Sequence, residues 1–377
     1  MSSLFFRERL HKLQRSAAFT GLALFLIVVV INVIVQGPFR FFTIRNIALI
    51  FAKNAPLILV TMGQLLLMLL GIIDISIGVQ MAFVNVVAVM LPTWFPAMPY
   101  PLAWAAAFAG AVCIAGIHGL IVALLRIPPL LTSFCMIYIV RGINLLIMPK
   151  PQGSVPEIIY LTYDMNILGI LPVSLVIIVA AYLIWAYMRR TPTIKHVYAV
   201  GGNERNAYAN GVNVAATKLK MYLLEGVYVF LAGFCLSAMT GAGNPIMGES
   251  YGLRSISACI LGGVSLAGGW GTMACALYGS GFLVLIQNIV FQLFSLLPRL
   301  MPGFKATSYW QNLVSDSIIL IGLVATVFTN KIQRDALKEG ILKQIGVTKD
   351  TSQGGLAAET KDAAPERSRR EGMNDGK

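Results

Sequence analysis

Residues 71–78, Gly-Ile-Ile-Asp-Ile-Ser-Ile-Gly, place an aspartate and a serine between two apolar runs with almost no loop to separate them. A carboxylate near a bilayer centre costs roughly 2.5–3.5 kcal/mol on insertion scales, so Asp74 must face a polar cavity, a helix N-terminus or a partner. Three uses fit: Asp74 and Ser76 cap the following helix, they touch a polar solute, or they serve a gate or interface. A second glycine-interrupted stretch, residues 261–271, Leu-Gly-Gly-Val-Ser-Leu-Ala-Gly-Gly-Trp-Gly, lies in the other half of the chain. Helices broken in both halves point to a midplane path, because unwound backbone offers N–H and C=O groups to a solute. Close helix packing by small residues is the competing account. Gln64, Asn85, Asn144, Gln287 and Asn288 add neutral amides within apolar segments. Such groups suit a polyol better than an ion, with interhelical bonding as their other use. Gln64, Asp74, Ser76, Asn85, Asn144, Ser265 and Asn288 are the candidate pathway residues.

The chain offers little covalent chemistry. It has no G-x-x-x-x-G-K-[ST] phosphate loop, and its single Gly-Lys pair is the last two residues, so P-loop nucleotide hydrolysis must come from another chain. No nucleophile elbow, paired catalytic carboxylates or metal-ligand cluster is present. Cys113, Cys135, Cys235, Cys259 and Cys275 all fall in apolar segments and form neither a disulfide framework nor a zinc spacing. His118 reads as a packing or helix-bonding residue, not a ligand. The intramembrane charges are Asp74, Arg141, Glu225, Arg254 and Asp316. Glu225 sits about one turn inside its segment, at headgroup level, and no spacing requires these carboxylates to pair. Trp94, Trp104, Trp185 and Trp310 fall near segment ends, as in an aromatic belt.

Elements that position these residues follow from composition. Of 377 residues, 57% are hydrophobic and only 12% charged. This is an all-α polytopic membrane protein. Apolar stretches of membrane-crossing length recur near 17–36, 55–73, 77–91, 102–125, 129–148, 171–188, 221–240, 252–266, 272–294 and 309–329, which predicts about ten transmembrane helices. The third and eighth are short, so broken or re-entrant helices are expected there. Basic residues 7, 9, 12 and 15 precede the first run, which lacks a cleavage site and reads as a retained span rather than a signal peptide.

Twenty-one of the 29 Lys and Arg fall before the first span, at Arg126, in 189–220 or from Lys331 onward, against six on the opposite side. Both termini and the 189–220 loop are therefore expected in the cytoplasm. The net charge of +13 reflects topology and anionic headgroups, with membrane lipids as partners and no nucleic acid. The expected division is a basic cytoplasmic N-terminus at 1–16, a transmembrane domain at 17–329 and a disordered cytoplasmic tail at 330–377.

The one long polar interruption, Arg189 to Lys220, contains Gly201-Gly202-Asn203-Glu204 and a short run that stops at Gly211. Asn203 can cap a first turn, Glu204 suits the positive helix end and Gly211 can take a left-handed stop. The segment reads as a small docking helix that receives force from a soluble partner.

Four stretches in order, 71–78, 127–142, 201–214 and 261–271, make the chain resemble the permease subunits of bacterial ATP-binding-cassette importers for monosaccharides, of the ribose, xylose and autoinducer-2 type, which are related to branched-chain amino-acid permeases. The resemblance covers about residues 45–328, with Ile72, Asn210, Val264 and Trp270 departing from its usual pattern. It implies a type II importer-like permease fold in the bacterial inner membrane, importing a monosaccharide or related polyol. It also implies a tandem ABC ATPase gripping Gly201, Gly202, Asn203, Glu204, Ala207, Gly211 and Val212. A periplasmic solute-binding protein would deliver the solute, and a second permease copy or homologue would complete the path. The permease would bind no cofactor, ATP and Mg residing on the ATPase. The rival reading is a secondary, ion-coupled transporter of a small polar solute, dependent on charge at Asp74 or Asp316.

Overall fold

The computed structural model describes residues 18–167, 169, 171–300 and 307–329. The N-terminal segment 1–16 and the tail 330–377 lie outside them. Helix α1 spans Phe19–Gln36, followed by α2 (Pro38–Phe41), α3 (Ile44–Met68), α4 (Ile77–Trp94), α5 (Tyr100–Leu124) and α6 (Pro129–Ile147). Next come β1 (Gln152–Ser154), α7 (Glu157–Asp164), β2 (Asn166–Ile167), β3 (Leu171–Pro172), α8 (Val173–Met188), α9 (Pro192–Gly202) and α10 (Glu204–Ala209). The last elements are α11 (Val214–Thr240), β4 (Ala242–Gly243), α12 (Tyr251–Leu261), α13 (Met273–Leu300) and α14 (Ser308–Thr329).

The chain is a multi-pass helical membrane protein. Among the described residues, seven helices are long and apolar enough to cross a bilayer, or eight if α8 and α9, bent by 82° at their junction, count as one span. The ten expected from apolar runs are therefore not all spans of this kind. Apolar run 252–266 is helical only over the 11 residues of α12, about 16 Å of rise, before the backbone unwinds at Gly262–Gly263. Run 55–73 is instead the end of a helix that begins at Ile44 and stops at Met68. Two small sheets also interrupt the all-helical plan: β1 pairs antiparallel with β4, and β2 with β3.

Helix ends follow local chemistry. Thr43 caps α3 through the Asn46 N–H at 3.3 Å, and Asn213 caps α11 through the Ala216 N–H at 2.9 Å. Within α3, Pro56 has no N–H to give the Ala52 carbonyl four residues back. The Tyr163 hydroxyl of α7 takes that place, donating to Ala52 O at 2.6 Å from a fully buried position.

Helix α11 is the centre of the bundle, packing on α5, α3 and α4. Ala103, Ala107, Ala111 and Ala115 recur every fourth residue on α5 and are all 0% exposed, giving a flat small-residue face. A Cβ added to Gly226 of α11 would stand 2.9 Å from Val112 Cα, and one added to Gly119 of α5 would stand 2.7 Å from Tyr222 Cβ. The two backbones are therefore nearly in contact. Trp104 packs edge-on against Phe234 at 4.9 Å and Trp185 is buried, so these two belong to the core and not to an interfacial belt.

Candidate functional site

The three glycine-containing stretches singled out by sequence end their helices in the same way. After α3, Ile72 N–H bonds to Leu67 O and Gly71 N–H to Met68 O, both at 3.0 Å, with Gly71 at φ +74°. After α12, Val264 N–H bonds to Cys259 O at 3.0 Å and Gly263 N–H to Ile260 O at 2.9 Å. After α10, Val212 N–H bonds to Ala207 O at 3.0 Å and Gly211 N–H to Tyr208 O at 2.9 Å. Each is a paired 6→1 and 5→2 stop, which needs a left-handed residue and favours glycine. Ala207 and Val212, expected in the docking segment, are thus the ends of one such hydrogen bond.

These stretches also meet. Gly269 N–H donates to Leu69 O at 2.9 Å, tying the 262–272 loop to the end of α3. Gly201, near the end of α9, lies directly over that bond, and a Cβ there would stand 2.7 Å from Gly269 N and closer still to Leu69 O. A Cβ on Gly268 would meet Gly71 N at 2.6 Å and Gly201 O at 2.9 Å. Tyr198, one helical turn back on α9, donates its hydroxyl to Gly271 O at 2.6 Å. The segment expected to dock a partner is therefore in backbone contact, through Gly201, with both broken-helix loops.

Beyond this junction, Asn203 caps α10, accepting the Asn206 N–H at 2.9 Å, as its position predicts. Glu204 pairs with Lys218 of α11 at 2.8 Å while remaining 57% exposed. Ala207 is buried and Tyr208 exposed. Between this segment and the α5–α6 turn lies a cleft of about 810 Å³, whose polar lining includes Arg126, Glu204, Tyr208 and Lys218. Arg126 holds φ 55°, an uncommon conformation for a non-glycine residue, and ends α5 just ahead of Pro128.

Residues 46–324 match the family model described as branched-chain amino acid transport system / permease component. The chain belongs to this permease family. It is 26% identical to the galactose/methyl galactoside import permease protein of Haemophilus influenzae, over 79% of this chain and 91% of that protein. It is 28% identical to the ribose import permease protein of Bacillus subtilis, over 84% of this chain and 95% of the relative. It is also 28% identical to the autoinducer 2 import system permease protein of Klebsiella pneumoniae, over 82% and 85%. No solved structure matches the chain.

In this permease, three of the candidate pathway residues fall together. Asp74 does not cap α4 directly; its carboxylate, 0% exposed, accepts the Ser76 N–H and Ser76 hydroxyl at 2.6 Å each and the Gln80 amide at 3.2 Å. Gln64 clasps the same residue's backbone, donating to Asp74 O at 2.8 Å and accepting from Asp74 N at 3.2 Å. Ser133 of α6 accepts the Ile75 N–H at 3.0 Å. Opposite stand His118, with Nδ1 3.3 Å from Asp74 Oδ2, and Tyr222, whose ring is 4.7 Å from the imidazole. Glu225 is 0% exposed and its two carboxylate oxygens have no hydrogen-bond partner. It is thus packed inside the bundle: α11 begins seven residues before the apolar run does, and Glu225 sits 11 residues along it.

The other candidates lie elsewhere. Asn85 joins α4 to α11 and β4, donating to Ser237 Oγ at 2.9 Å and accepting from Asn244 N at 2.8 Å. Asn144 ties α6 to α4 through Val79 O at 3.1 Å. Ser265 belongs to the glycine loop, where its hydroxyl accepts the Ala267 N–H at 3.2 Å. Asn288 bonds to Gln36 across the α1–α13 seam. Two charge pairs escaped the sequence reading because their partners are distant in the chain: Arg141 with Glu249 at 3.0 Å and Arg254 with Asp316 at 3.2 Å.

Proposed function

We propose that this chain is the permease subunit of an ATP-binding-cassette importer for a monosaccharide or related polyol. The relatives named above are sugar or autoinducer import permeases covered over most of their length, which supports that substrate class. The observation that carries the mechanism is the contact of Gly201 with the Leu69–Gly269 hydrogen bond, which makes the docking segment and both broken-helix loops one mechanical unit.

The chain performs no covalent chemistry in this reading. A separate ATPase, holding ATP and Mg, grips the segment from Gly201 through Val212 on the cytoplasmic side. The excess of Lys and Arg in 189–220 and at both ends of the sequence supports that orientation, in the bacterial inner membrane. A force on α10 passes through the Asn203 cap and α9 to Gly201, and from there to the 69–76 and 262–272 loops. A periplasmic binding protein supplies solute to the opposite face, and a second permease chain completes the path. Switching of the loops between two arrangements changes the side to which the cavity opens.

Gln64, Asp74, Ser76, Asn85, Asn144, Ser265 and Asn288 are the polar groups available to line that path. The first six are buried in the arrangement described, so solute contact requires the loops to part. Extraction in mild detergent tests the reading: an ATP-hydrolysing subunit should accompany the wild-type chain. Full accumulation of solute by the purified chain alone in proteoliposomes would overturn it.

A further inference from the structure

We propose that the face built by α6, α12 and α14 is where this chain meets a second copy of itself, with the ion pairs Arg141–Glu249 and Arg254–Asp316 at that contact. The proposal rests on the reading that a second permease chain completes the path, and it names the face that reading leaves open. The charged residues placed within the membrane by sequence are Asp74, Arg141, Glu225, Arg254 and Asp316. Asp74 and Glu225 are buried inside the chain. The other three are not. Arg141 of α6 reaches Glu249 at 3.0 Å, with the two side chains 42% and 36% exposed, and Arg254 of α12 reaches Asp316 of α14 at 3.2 Å, with 21% and 54%.

The two pairs bracket one short helix. Glu249 lies two residues before α12 and Arg254 is its fourth residue, so one pair ties this half-helix to α6 and the other ties it to α14. Backbone packing fixes its inner side: a Cβ at Gly252 would collide with Ile75 O, and one at Gly248 with Gly78 O. Ser255, Ala258 and Cys259 are buried. The helix therefore cannot turn its outer side inward, and that side shows exposed Leu253, one turn beyond Glu249 and next to Arg254. Helices α1, α5 and α8 are also open to the outside of the single chain, but they contain no Asp, Glu, Lys or Arg, as suits contact with lipid. Charged side chains at membrane depth face protein or a water-filled cavity and not lipid. A copy of the same chain meets that need. The face carries two positive and two negative groups, so a twofold axis can set each sign against its opposite. The solute path between the copies supplies water to whatever part of the ion pairs stays uncovered.

Crosslinking of the full chain in membranes tests the face. The exposed thiols Cys113 and Cys135 are first replaced by serine. Leu253→Cys is then treated with a flexible bifunctional maleimide, beside Leu183→Cys, an equally open position on the uncharged α8. A covalent dimer is expected from Leu253→Cys and only monomer from Leu183→Cys. Monomer from Leu253→Cys, or dimer from both to the same extent, overturns the proposal. Adding Glu249→Lys to Leu253→Cys makes the face positive and is expected to abolish the dimer; a dimer that persists contradicts the charge match. The readout needs neither solute nor ATPase, which separates it from the import reading. An ATPase that co-purifies with a chain that does not crosslink sinks the face alone, and a crosslinked dimer without an ATPase sinks the importer alone.

Discussion

Gly269 donates its backbone N–H to the carbonyl of Leu69 at 2.9 Å, joining the 262–272 loop to the end of α3, 200 positions away in the sequence. No side chain contributes to that bond, so its geometry depends on how closely three backbones approach. Glycine at 71, 201, 268 and 269 permits the approach.

Gly71 is the strictest test of that packing. Its φ of +74° and the 3.0 Å between a built Cβ and Ala267 O leave no relaxed geometry for a branched residue. Gly71→Val is expected to cost about 1–3 kcal/mol from the strained backbone alone, read as a lower thermal midpoint in detergent. A midpoint equal to wild type would show that the junction is looser than described.

The docking segment makes a separate prediction. Glu204→Arg replaces an ion pair with Lys218 by a repulsive contact, and Gly202→Pro places a ring in the last turn of α9. Both variants are expected to insert in the membrane normally and to lose solute uptake and ATPase coupling. Normal uptake by either variant would remove the segment from the force path.

Tyr163→Phe deletes a hydroxyl and leaves the Ala52 carbonyl, already without its helical donor because of Pro56, unpaired in a buried setting. A loss of about 1–3 kcal/mol is expected, the usual cost of an unsatisfied buried acceptor. Thermal unfolding of the two proteins side by side gives the difference, and none would mean that water or another donor serves Ala52.

Energy source separates the importer from an ion-coupled carrier. Uptake is expected to continue, at least transiently, when the proton gradient is collapsed with ATP still present, and to stop when ATP is exhausted. The opposite dependence would favour the carrier. Asp316 gives that rival no buried charge, since its side chain is 54% exposed and paired with Arg254.

Much of the site was legible because local rules carried it. Asn203 as a cap, Gly211 as a stop and the unwinding at Gly71 and Gly263 depend on residues within one turn of one another. What sequence could not show was assembly. Nothing in residues 71–78, 198–202 or 261–271 taken singly says that their backbones touch. The pairing of Asp74 with His118 spans 44 positions, and Glu225 looked peripheral because α11 starts in a polar stretch that hydropathy left out. The run 252–266, short enough in the sequence to be expected broken, is helical only to Leu261, where Gly262 and Gly263 let the chain turn out of its helix. The seven pathway candidates, chosen one by one as polar groups in apolar runs, divide into the Asp74 cluster, the glycine loop and three helix–helix tethers.

The most direct test of the force path compares two adjacent glycines in the assembled complex, in proteoliposomes with its ATPase and binding protein. A Cβ at Gly202 meets nothing within 4 Å, whereas one at Gly201 collides with Leu69 O and Gly269 N. Solute-stimulated ATP hydrolysis should be near wild type for Gly202→Ala and at least about tenfold lower for Gly201→Val, equivalent to about 1.4 kcal/mol, with the ATPase still bound. Equal stimulation in the two variants would contradict the claim that the docking segment drives the broken-helix loops through Gly201.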